Sequence, residues 1–305
     1  MGQQTKNKKL AILIPVFNGL DYTKNCLRNL KTVLKDHEEK DQVSLIISDD
    51  NSKDGTSGWV KEHYPEVVVL KGDGNLWWSG GINLASRYAI EELNTDFILW
   101  WNNDIEAGER YFSRIFYHMQ HSDNHTLVGS KIFAVGSDII WGMGGVFNTR
   151  TGKRKNFAEK ERDGKEFQKV VEVDWFPGMG TLIPARVYNT IGYLDERNFP
   201  QYHGDSDFTF RAKKAGFRLI ADPEMVIYND VSNTGLIHNG SIRLLYKSLT
   251  DIKSNFNMKK DFLFYRKHSE SILAFSELVR KYFKYTGGFF KWKVLGVFGV
   301  RKQKA

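Results

Sequence analysis

Short runs of consecutive apolar residues alternate with amphipathic stretches along the first hundred residues. The apolar runs predict strands at 10–15, 43–48, 67–70 and 96–101. The stretches between them repeat apolar residues at helical spacing and predict helices at 21–35, 55–63 and 80–93. This alternation is typical of βαβ units on a parallel sheet. Because the strands are apolar throughout, we expect layers that cover both faces of the sheet.

The second half of the chain has a less regular pattern. Its apolar runs predict strands at 127–133 and 169–175, and its amphipathic stretches predict helices near 184–191 and 205–215. A polar loop occupies 150–168, the segment 227–241 is turn-like, and helices rich in Lys and Arg follow from 242. We therefore predict one α/β domain over residues 1–238 and a basic helical C-terminal extension over residues 239–305.

The composition excludes several classes of protein. The hydrophobic fraction of 41% is ordinary for a globular chain of 305 residues. The single cysteine, Cys26, excludes an intramolecular disulfide and a cysteine-based metal site. The apolar run that Pro15 ends is too short for a signal peptide, and no segment offers the roughly 18 apolar residues of a spanning helix. A cytoplasmic location is the expectation.

The net charge of +8 is distributed unevenly along the chain. Residues 241–305 carry fifteen Lys and Arg against four acidic side chains, whereas the first 240 residues have a net charge of −3. The basic character therefore belongs to the extension and indicates an anionic partner there.

Carboxylates follow the predicted strands of the first half. In an open α/β sheet, ligands bind at the carboxyl ends of the strands. Asp49, Asp50 and Asp54 follow the second strand, and Asp104 follows the fourth. Helix capping explains Asp54 well but Asp104 poorly, because two tryptophans precede Asp104. Such an acidic rim suits a divalent cation, which in turn suits a diphosphate.

Several motifs occur in an order that resembles a known family. The segments IPVFN, SDDNSKDGT, GNLWWSGGINLA and WWNND resemble the nucleotide-binding half of glycosyltransferase family 2, which has the GT-A fold. The segments VDWFPGMGTLIPARVYNTIGYLDE and GDSDFTFRAKKAGFRL resemble the later motifs of that family. The resemblance covers roughly residues 10–235 and is nearest to the rhamnosyltransferase-like branch.

The resemblance implies an activity and a set of partners. It implies an inverting transfer of a sugar from a nucleoside-diphosphate donor, of the UDP or dTDP type, to a hydroxyl of a glycan or glycolipid. It also implies a divalent cation, Mg²⁺ or Mn²⁺, and a role in bacterial surface polysaccharide synthesis.

The resemblance also assigns residues to the nucleotide. Asp50 would hydrogen-bond the base, with Pro15 and Phe17 of the first loop and Asn75 of the third loop beside it. The alternative for Asp50 is a turn residue in the sequence DNS.

The metal ligands are expected at the end of the fourth strand. Asp104 matches the last aspartate of the family's D-x-D element, and Asn102 replaces the first, so the site has one carboxylate fewer. The family often has a histidine where Asn229 stands. His203 and His238 are the alternative histidine ligands.

The general base is expected in the later motif. Asp205 matches the aspartate of the family's E-D pair, and Gly204 replaces the glutamate. Asp207 would meet the sugar or acceptor, or orient the helix that follows. Helix N-capping is the alternative for Asp205.

Aromatic residues are candidates for the sugar contact. Trp77 and Trp78 are adjacent and point in different directions, so at most one is expected to be fully buried. One would stack on the sugar, near Gly178 of the W-x-x-G block. Burial of both tryptophans in the core is the alternative.

Two other functions compete with glycosyl transfer. A sugar nucleotidyltransferase would require a Gly-rich, Arg-containing loop after the first strand, and PVFNGLDY is not such a loop. A nucleic-acid-binding protein would explain the basic extension, but the acidic rim would repel phosphates. We therefore expect no nucleic-acid partner.

The end of the extension mixes basic and large apolar residues. Residues 279–305 hold eight Lys and Arg and no acidic residue, a composition that suits an interfacial helix at an anionic membrane. Gly287 and Gly288 are expected to divide this stretch into two helices. A solvated helix packed on the α/β domain and a homodimer surface are the alternatives. Membrane docking would place the protein at the inner face of the cell membrane, near a lipid-linked acceptor.

Overall fold

The computed structural model describes residues 8–230 and 241–297, which form two compact units. The described residues of the first unit are 8–146, 156–200 and 204–230. Those of the second unit are 147–155, 201–203 and 241–297. The predicted boundary between residues 238 and 239 lies outside the described residues. The membership of 147–155 and 201–203 in the second unit was not predicted.

The first half of the first unit alternates strands and helices as predicted. Its elements are β1 (Leu10–Val16), α1 (Leu20–Leu34), β2 (Val43–Asp49), α2 (Thr56–His63), β3 (Val68–Lys71), α3 (Trp77–Glu91) and β4 (Phe97–Trp100). A short 3₁₀ helix precedes β2 at Glu38–Gln42. The four strands are parallel in the order β3-β2-β1-β4. The predicted parallel sheet is therefore confirmed.

The chain from residue 105 to residue 229 extends the same sheet, and residues 147–155 and 201–203 within it belong to the second unit. Its elements are β5 (Ile105–Ala107), α4 (Tyr111–His121), β6 (Thr126–Ala134), β7 (Ile140–Gly142), β8 (Gly145–Phe147), β9 (Arg154–Asn156), β10 (Val171–Glu172), β11 (Thr181–Pro184), α5 (Ala185–Ile191), α6 (Gly204–Lys214) and β12 (Arg218–Asn229). A 3₁₀ turn lies at Lys165–Phe167. The sheet order is β10-β12-β6-β11-β4-β1-β2-β3, with β5 on β12 and β7 on β6, while β8 and β9 form a separate pair.

Apolar layers cover both faces of the sheet, as the continuous apolar strands predict. Leu10, Ile12 and Ile14 of β1 pack in one cluster with α1 and α4. Ala11 and Leu13 of the same strand point to the other cluster, with α3 and α6. These side chains are buried, and burial of a Leu or Ile side chain stabilises a fold by about 1.5–3 kcal/mol.

The strand order brings several loops to one edge of the sheet. β1 lies between β2 and β4, so the order of the parallel strands reverses there, and such a reversal opens a crevice at the carboxyl ends. β11 runs antiparallel to β4 with Thr181 opposite Trp100, so the loop before β11 reaches the same edge. β12 pairs with β5 with Asn229 opposite Ile105, which brings the end of β12 to the loop after β4.

Several elements of the second half differ from the prediction. The strand predicted at 169–175 is reduced to β10, and residues 227–229, predicted as turn-like, are the end of β12. The apolar pattern of β12 is interrupted by a bulge between Asp222 and Val226 that contains Pro223, so its period of two is not visible in the sequence. The elements α4, β11 and β12 were not predicted.

The second unit contains the predicted C-terminal helices. They are α7 (Ile242–Thr250), α8 (Met258–His268) and α9 (Ala274–Val297). Within the two described ranges, no helix is long and apolar enough to cross a membrane.

The predicted break at Gly287 and Gly288 is wrong, because α9 continues through both residues. Each glycine costs a helix about 1 kcal/mol relative to alanine, a cost that tertiary contacts override. Tyr285 stacks on Phe256 at 4.0 Å between ring centroids, and Phe289 is buried. These contacts hold the helix on both sides of the glycine pair.

Candidate active site

Asp50 lies at the carboxyl end of β2 and organises the loop that follows β3. One of its carboxylate oxygens accepts a hydrogen bond from the backbone N–H of Gly74 at 2.7 Å. The other accepts from the backbone N–H groups of Leu76 at 2.9 Å and Trp77 at 3.1 Å. The residue predicted to bond the nucleotide base is therefore also the acceptor that shapes the loop after β3.

The other carboxylates of the predicted rim bond to the protein as well. Asp54 accepts from the backbone N–H groups of Gly19 and Leu20, at the start of α1. Asp49 accepts from the backbone N–H of Ser52 at 2.8 Å. Asp54 therefore connects the loop after β2 to the start of α1, whereas Asp49 stabilises the loop that follows its own strand.

Trp77 begins α3 in a left-handed backbone conformation, with φ of 56°. This conformation is unfavourable for a bulky residue and persists only where the surroundings impose it. The Asp50 carboxylate imposes it here through the hydrogen bond to the Trp77 N–H. Neither Trp77 nor Trp78 is fully buried. Burial of both in the core, the alternative considered above, is therefore wrong.

Trp78 connects the loop after β4 to the loop before β11. Its indole N–H donates to Oδ1 of Asn102 at 2.9 Å, and its ring packs edge-on against Trp100. A Cβ added to Gly178 would lie 2.2 Å from Cζ2 of Trp78, so only glycine permits this close approach. Trp78 therefore fixes the distance between Asn102 and Gly178.

Asp205 lies in the first turn of α6 and is half-buried. Its Oδ2 accepts a hydrogen bond from the backbone N–H of Gly178 at 2.8 Å, and its Oδ1 accepts from the N–H of Ser206 at 2.7 Å. The candidate base thus joins the same set of contacts. Asn102, Trp78, Gly178 and Asp205 form a continuous chain from the predicted metal side to the predicted base.

Asp207 differs from Asp205 although it lies on the same helix. Its side chain is fully buried and forms an ion pair with Arg211, with Nε 3.0 Å from Oδ2. Arg211 also donates to the carbonyl oxygens of Ile191 and Tyr193. These contacts fasten α6 to the end of α5, so Asp207 orients the helix. The direct contact with sugar or acceptor that the resemblance suggested for Asp207 does not suit this burial.

Asp104 carries an unusual carboxylate. Its Oδ1 is buried and has no hydrogen-bond partner within residues 8–230 and 241–297. Burial raises the pKa of the Asp104 carboxyl, and the negative charge of Asp230 adds to the rise. The Asp230 carboxylate accepts a hydrogen bond from the hydroxyl of Tyr22 at 3.3 Å, and the Asp230 N–H donates to the Asp104 carbonyl. Two carboxylates therefore lie together at this edge.

These residues could hold a divalent cation if a diphosphate supplied some of the oxygen ligands. Among the described residues, no group of three or more His, Cys, Asp or Glu side chains could hold a metal. Asp104 and Asp230 supply two carboxylates, and Oδ1 of Asn102, already bonded to Trp78, has a second lone pair. Diphosphate oxygens and water would complete the coordination, which is the usual mode for Mg²⁺.

The remaining predicted nucleotide residues lie around Asp50. Pro15 is the second-last residue of β1 and packs so close to α3 that a Cβ on Gly81 would lie 2.8 Å from the Cβ of Pro15. Phe17 is 56% exposed in the loop after β1. Asn75 is exposed, and its backbone N–H donates to Asp73. Phe17 and Asn75 thus keep surface for a ligand.

Only one of the two alternative histidine ligands, His203, lies among the described residues. His203 belongs to the second unit and bonds to Asp261 there. Both ring nitrogens of His203 thus have partners within the second unit. His238 lies outside the described residues. Asn229, where the family often has histidine, is buried in β12.

Sequence reasoning missed Asp230 and Tyr22 as members of the site. The signal for Asp230 was available, since it is a carboxylate directly after a strand. It was not recognised because the end of β12 was interpreted as turn-like. Tyr22 lies on α1 with no motif around it, and only the fold brings it to Asp230.

A family model gives the relationship of this chain to known proteins. The model of "Glycosyl transferase family 2" matches residues 11–172, which is more than half of the chain. The chain belongs to glycosyl transferase family 2. The matched residues include Asp50, Trp78, Asn102 and Asp104, whereas Asp205 and Asp230 lie beyond the match.

One curated relative of this family 2 chain is a hexosyltransferase. The low-salt glycan biosynthesis hexosyltransferase Agl10 of Haloferax volcanii is 22% identical over 227 residues. The match covers 71% of this chain and 66% of the relative, so the chain spans slightly less than two thirds of that protein.

Solved structures confirm the GT-A fold. GalNAc-T7, crystallised with UDP, GalNAc and Mn²⁺, has a TM-score of 0.58 at 12% identity, over 91% of this chain and 57% of its own. TarS residues 1–349 of S. aureus, in complex with UDP, has a TM-score of 0.55 at 14% identity, and the match covers 90% of this chain and 72% of TarS 1–349. The mannosyltransferase PcManGT of Pyrobaculum calidifontis, with GDP-Man and Mn²⁺, has a TM-score of 0.54 at 14% identity, and the match covers 89% of this chain and 68% of PcManGT.

Proposed function

We propose that the protein is an inverting glycosyltransferase that moves a sugar from a nucleoside-diphosphate donor to a hydroxyl of a glycan or lipid-linked acceptor. Family membership supports a nucleotide-sugar donor. The observation that carries the proposal is the chain of contacts from Asn102 through Trp78 and Gly178 to Asp205. It connects a candidate cation site to a candidate base across one edge of the sheet.

The reaction requires one base and one stabilised leaving group. The acceptor oxygen attacks the anomeric carbon of the donor, its bond to that carbon forms, and the bond from the carbon to the diphosphate oxygen breaks. Asp205 takes the proton of the acceptor hydroxyl. The Gly178 N–H holds the carboxylate in one orientation while this occurs.

A divalent cation, Mn²⁺ or Mg²⁺, would be held by Asp104 with Asp230 beside it. When bound, it supplies positive charge that stabilises the leaving diphosphate. Among residues 8–230 and 241–297, the buried Oδ1 of Asp104 has no partner, which supports this assignment because a buried carboxylate oxygen without a partner is costly. GalNAc-T7 and PcManGT, which share the fold, were each solved with Mn²⁺.

The donor pocket would form between the loops after β1 and β3. Asp50 shapes its wall, Phe17 offers an exposed ring to the base, and Asn75 offers an exposed amide. We propose a UDP or dTDP donor and a hexosyl or rhamnosyl group. The hexosyltransferase from Haloferax volcanii supports the hexosyl choice, and the sequence resemblance supports the rhamnosyl choice. A role in bacterial surface polysaccharide synthesis is part of the same proposal.

The C-terminal extension would hold the enzyme at the inner face of an anionic membrane. Val279, Phe283, Phe290 and Val294 of α9 are 53–77% exposed. At 100° per residue they lie on one face of the helix. Arg280, Lys284 and Lys291 are exposed beside that face. An apolar stripe flanked by cations complements the headgroups and acyl boundary of anionic lipids.

The donor can be identified by a thermal-shift panel. The panel contains UDP-glucose, UDP-N-acetylglucosamine, GDP-mannose and dTDP-rhamnose, each with Mn²⁺, with Mg²⁺ and with EDTA. We expect one donor to raise the melting temperature only with a cation, because a ligand that binds the folded state alone stabilises it. Release of the nucleoside diphosphate from that donor then measures turnover. Equal shifts for all donors, or no effect of EDTA, would contradict the proposal.

A further inference from the structure

Residues 201–203 belong to the second unit although they interrupt the sequence of the first. The next residue, Gly204, begins α6 in the first unit, and Asp205 follows it. A segment of the C-terminal unit is thus covalently joined to the helix of the candidate base, two residues before that base.

His203 is held in this segment by contacts on both ring nitrogens. Its Nε2 lies 2.7 Å from Oδ1 of Asp261, and its Nδ1 lies 3.3 Å from Nη1 of Arg154. Arginine only donates, so Nδ1 accepts and Nε2 carries the proton. Burial lowers the pKa of His203, which agrees with a neutral ring. The ring also stacks on Phe264 at 4.8 Å.

The backbone of His203 needs such restraint. Its φ is 68°, a left-handed conformation that residues with a Cβ adopt only under constraint. The Asp261 carboxylate and the Phe264 ring, both on α8, supply the constraint. Without them, the chain before α6 would relax to a different path.

Asp261 is the centre of a buried cluster that includes α9. It accepts hydrogen bonds from the Tyr282 hydroxyl at 2.5 Å and from the Lys281 ammonium. Only 3% of its side chain is exposed. Burial alone would raise the pKa of Asp261, but the hydrogen bond from His203 and the charge of Lys281 lower it. The carboxylate therefore stays ionised and keeps all three donors.

We infer that the Asp261–His203 pair positions the catalytic base, because it fixes the backbone immediately before Asp205. This inference rests on the proposed role of Asp205. His203 and Asp261 are positioning residues: they touch neither donor nor acceptor, and they act through the placement of α6. Asp205 is then restrained from two directions, by the Gly178 N–H and by the chain that enters its helix.

The test replaces Asp261 and compares it with a matched cluster elsewhere. Asp222 of the first unit is also buried and contacts a histidine and an arginine, with His118 Nε2 at 2.6 Å and Arg114 Nη2 at 2.6 Å. The substitutions Asp261→Asn and Asp222→Asn therefore remove the same charge from similar surroundings. The partners of Asp222 lie on α4 and not on the chain that enters α6, so Asp222 serves as the control.

Turnover is measured as nucleoside-diphosphate release from whichever of UDP-glucose, UDP-N-acetylglucosamine, GDP-mannose or dTDP-rhamnose the wild type hydrolyses or transfers. We expect Asp261→Asn to lower kcat by about 10²-fold, the order of loss for a catalytic group misplaced by about 1 Å. KM for the donor and the affinity for UDP with Mn²⁺ should stay unchanged. Asp222→Asn should change neither parameter. Equal losses of kcat in both variants would overturn the inference.

A double variant separates this inference from the proposed function. If Asp261 acts through Asp205, adding Asp261→Asn to Asp205→Asn should cost no further activity, because residues that act as a unit are not additive. A full additional loss in the double variant would show that Asp261 acts independently of the base. If Asp205→Asn alone keeps its activity, the assignment of the base fails instead.

Hydrogen exchange gives a readout that needs no substrate. In Asp261→Asn, amides of residues 202–207 should exchange faster than in the wild type, because the entry to α6 is released. The same peptide should be unchanged in Asp222→Asn. Unchanged exchange at 202–207 in Asp261→Asn would contradict the inference even if the protein turns over none of the four donors.

Discussion

The backbone N–H of Gly178 donates a 2.8 Å hydrogen bond to the carboxylate of Asp205. Gly178 lies in the loop before β11, and Asp205 lies on α6, 27 positions later in the chain. Since Gly178 also abuts the Trp78 ring, one glycine connects the candidate base to the aromatic wall of the site.

Gly178→Ala is expected to reduce turnover more than stability. The new Cβ would lie 2.2 Å from the Trp78 ring, so the ring or the loop must move, and both the Trp78–Asn102 and Gly178–Asp205 hydrogen bonds depend on their present positions. We expect kcat to fall by about 10²-fold. Gly142→Ala is the control, because a Cβ there meets nothing within 4 Å. Steady-state kinetics and thermal unfolding of both variants check this expectation. An equal kcat for Gly178→Ala and Gly142→Ala would contradict it.

Asp104→Asn is expected to abolish the stabilisation of the protein by Mn²⁺ and UDP while leaving the fold intact. Asparagine fills the same volume but offers no charge to the cation. With UDP present, Mn²⁺ should raise the melting temperature of the wild type and not of the variant. Asp21→Asn, an exposed acid on α1, should behave as the wild type. Donor turnover that survives both Asp104→Asn and EDTA would contradict the assignment of the metal site.

Asp50 is expected to contribute to stability as well as to nucleotide binding. Asp50→Ala leaves three backbone N–H groups without their acceptor and releases the strained backbone of Trp77. Each lost hydrogen bond to a charged group costs about 1.5–3 kcal/mol. Denaturant unfolding should show a loss of that order or more, and calorimetry should show weaker binding of UDP and dTDP. A variant with wild-type stability and affinity would refute both roles.

Binding to anionic vesicles should depend on the exposed stripe of α9. Truncation of α9 would remove buried residues such as Tyr282 and Phe289, so substitutions in the full chain are preferable. Phe283→Ser with Phe290→Ser should abolish sedimentation with phosphatidylserine vesicles at low salt. Val135→Ser with Val170→Ser removes comparable exposed side chains from the first unit and should have no effect.

Two results would contradict membrane docking. If wild-type protein stays in the supernatant with the vesicles at low salt, the stripe binds no anionic membrane. If the Phe283→Ser, Phe290→Ser protein changes from dimer to monomer by light scattering while vesicle binding is unaffected, the stripe is a dimer surface.

The parallel half of the fold was predictable because its strands are continuous apolar runs with helical spacing between them. Asp50 and Asp104 were identifiable because they lie within three residues of the ends of such runs. β12 was not predictable, because the bulge between Asp222 and Val226 interrupts the alternation of its apolar residues. Asp230 was therefore not recognised as a carboxylate at the end of a strand.

Long-range contacts account for the remaining errors. The acceptor role of Asp50 depends on amides 24 to 27 positions later in the chain. The continuity of α9 through Gly287 and Gly288 depends on tertiary contacts such as the stacking of Tyr285 on Phe256. The link from His203 to Asp261 spans 58 positions. No local pattern of residues encodes contacts of this kind.

The most direct test of the central claim is the turnover of Asp205→Asn at saturating donor. Asparagine is nearly isosteric, and its one side-chain oxygen can still accept from the Gly178 N–H in place of the Ser206 N–H. It cannot take the acceptor proton, so kcat should fall by roughly 10²-fold or more. The affinity for UDP with Mn²⁺ should be unchanged, and Asp123→Asn, which changes a carboxylate that likewise accepts a backbone N–H, should keep wild-type kcat. An Asp205→Asn protein that keeps its rate at saturation but binds the donor more weakly would contradict the account, because Asp205 would then be a binding residue and not the base.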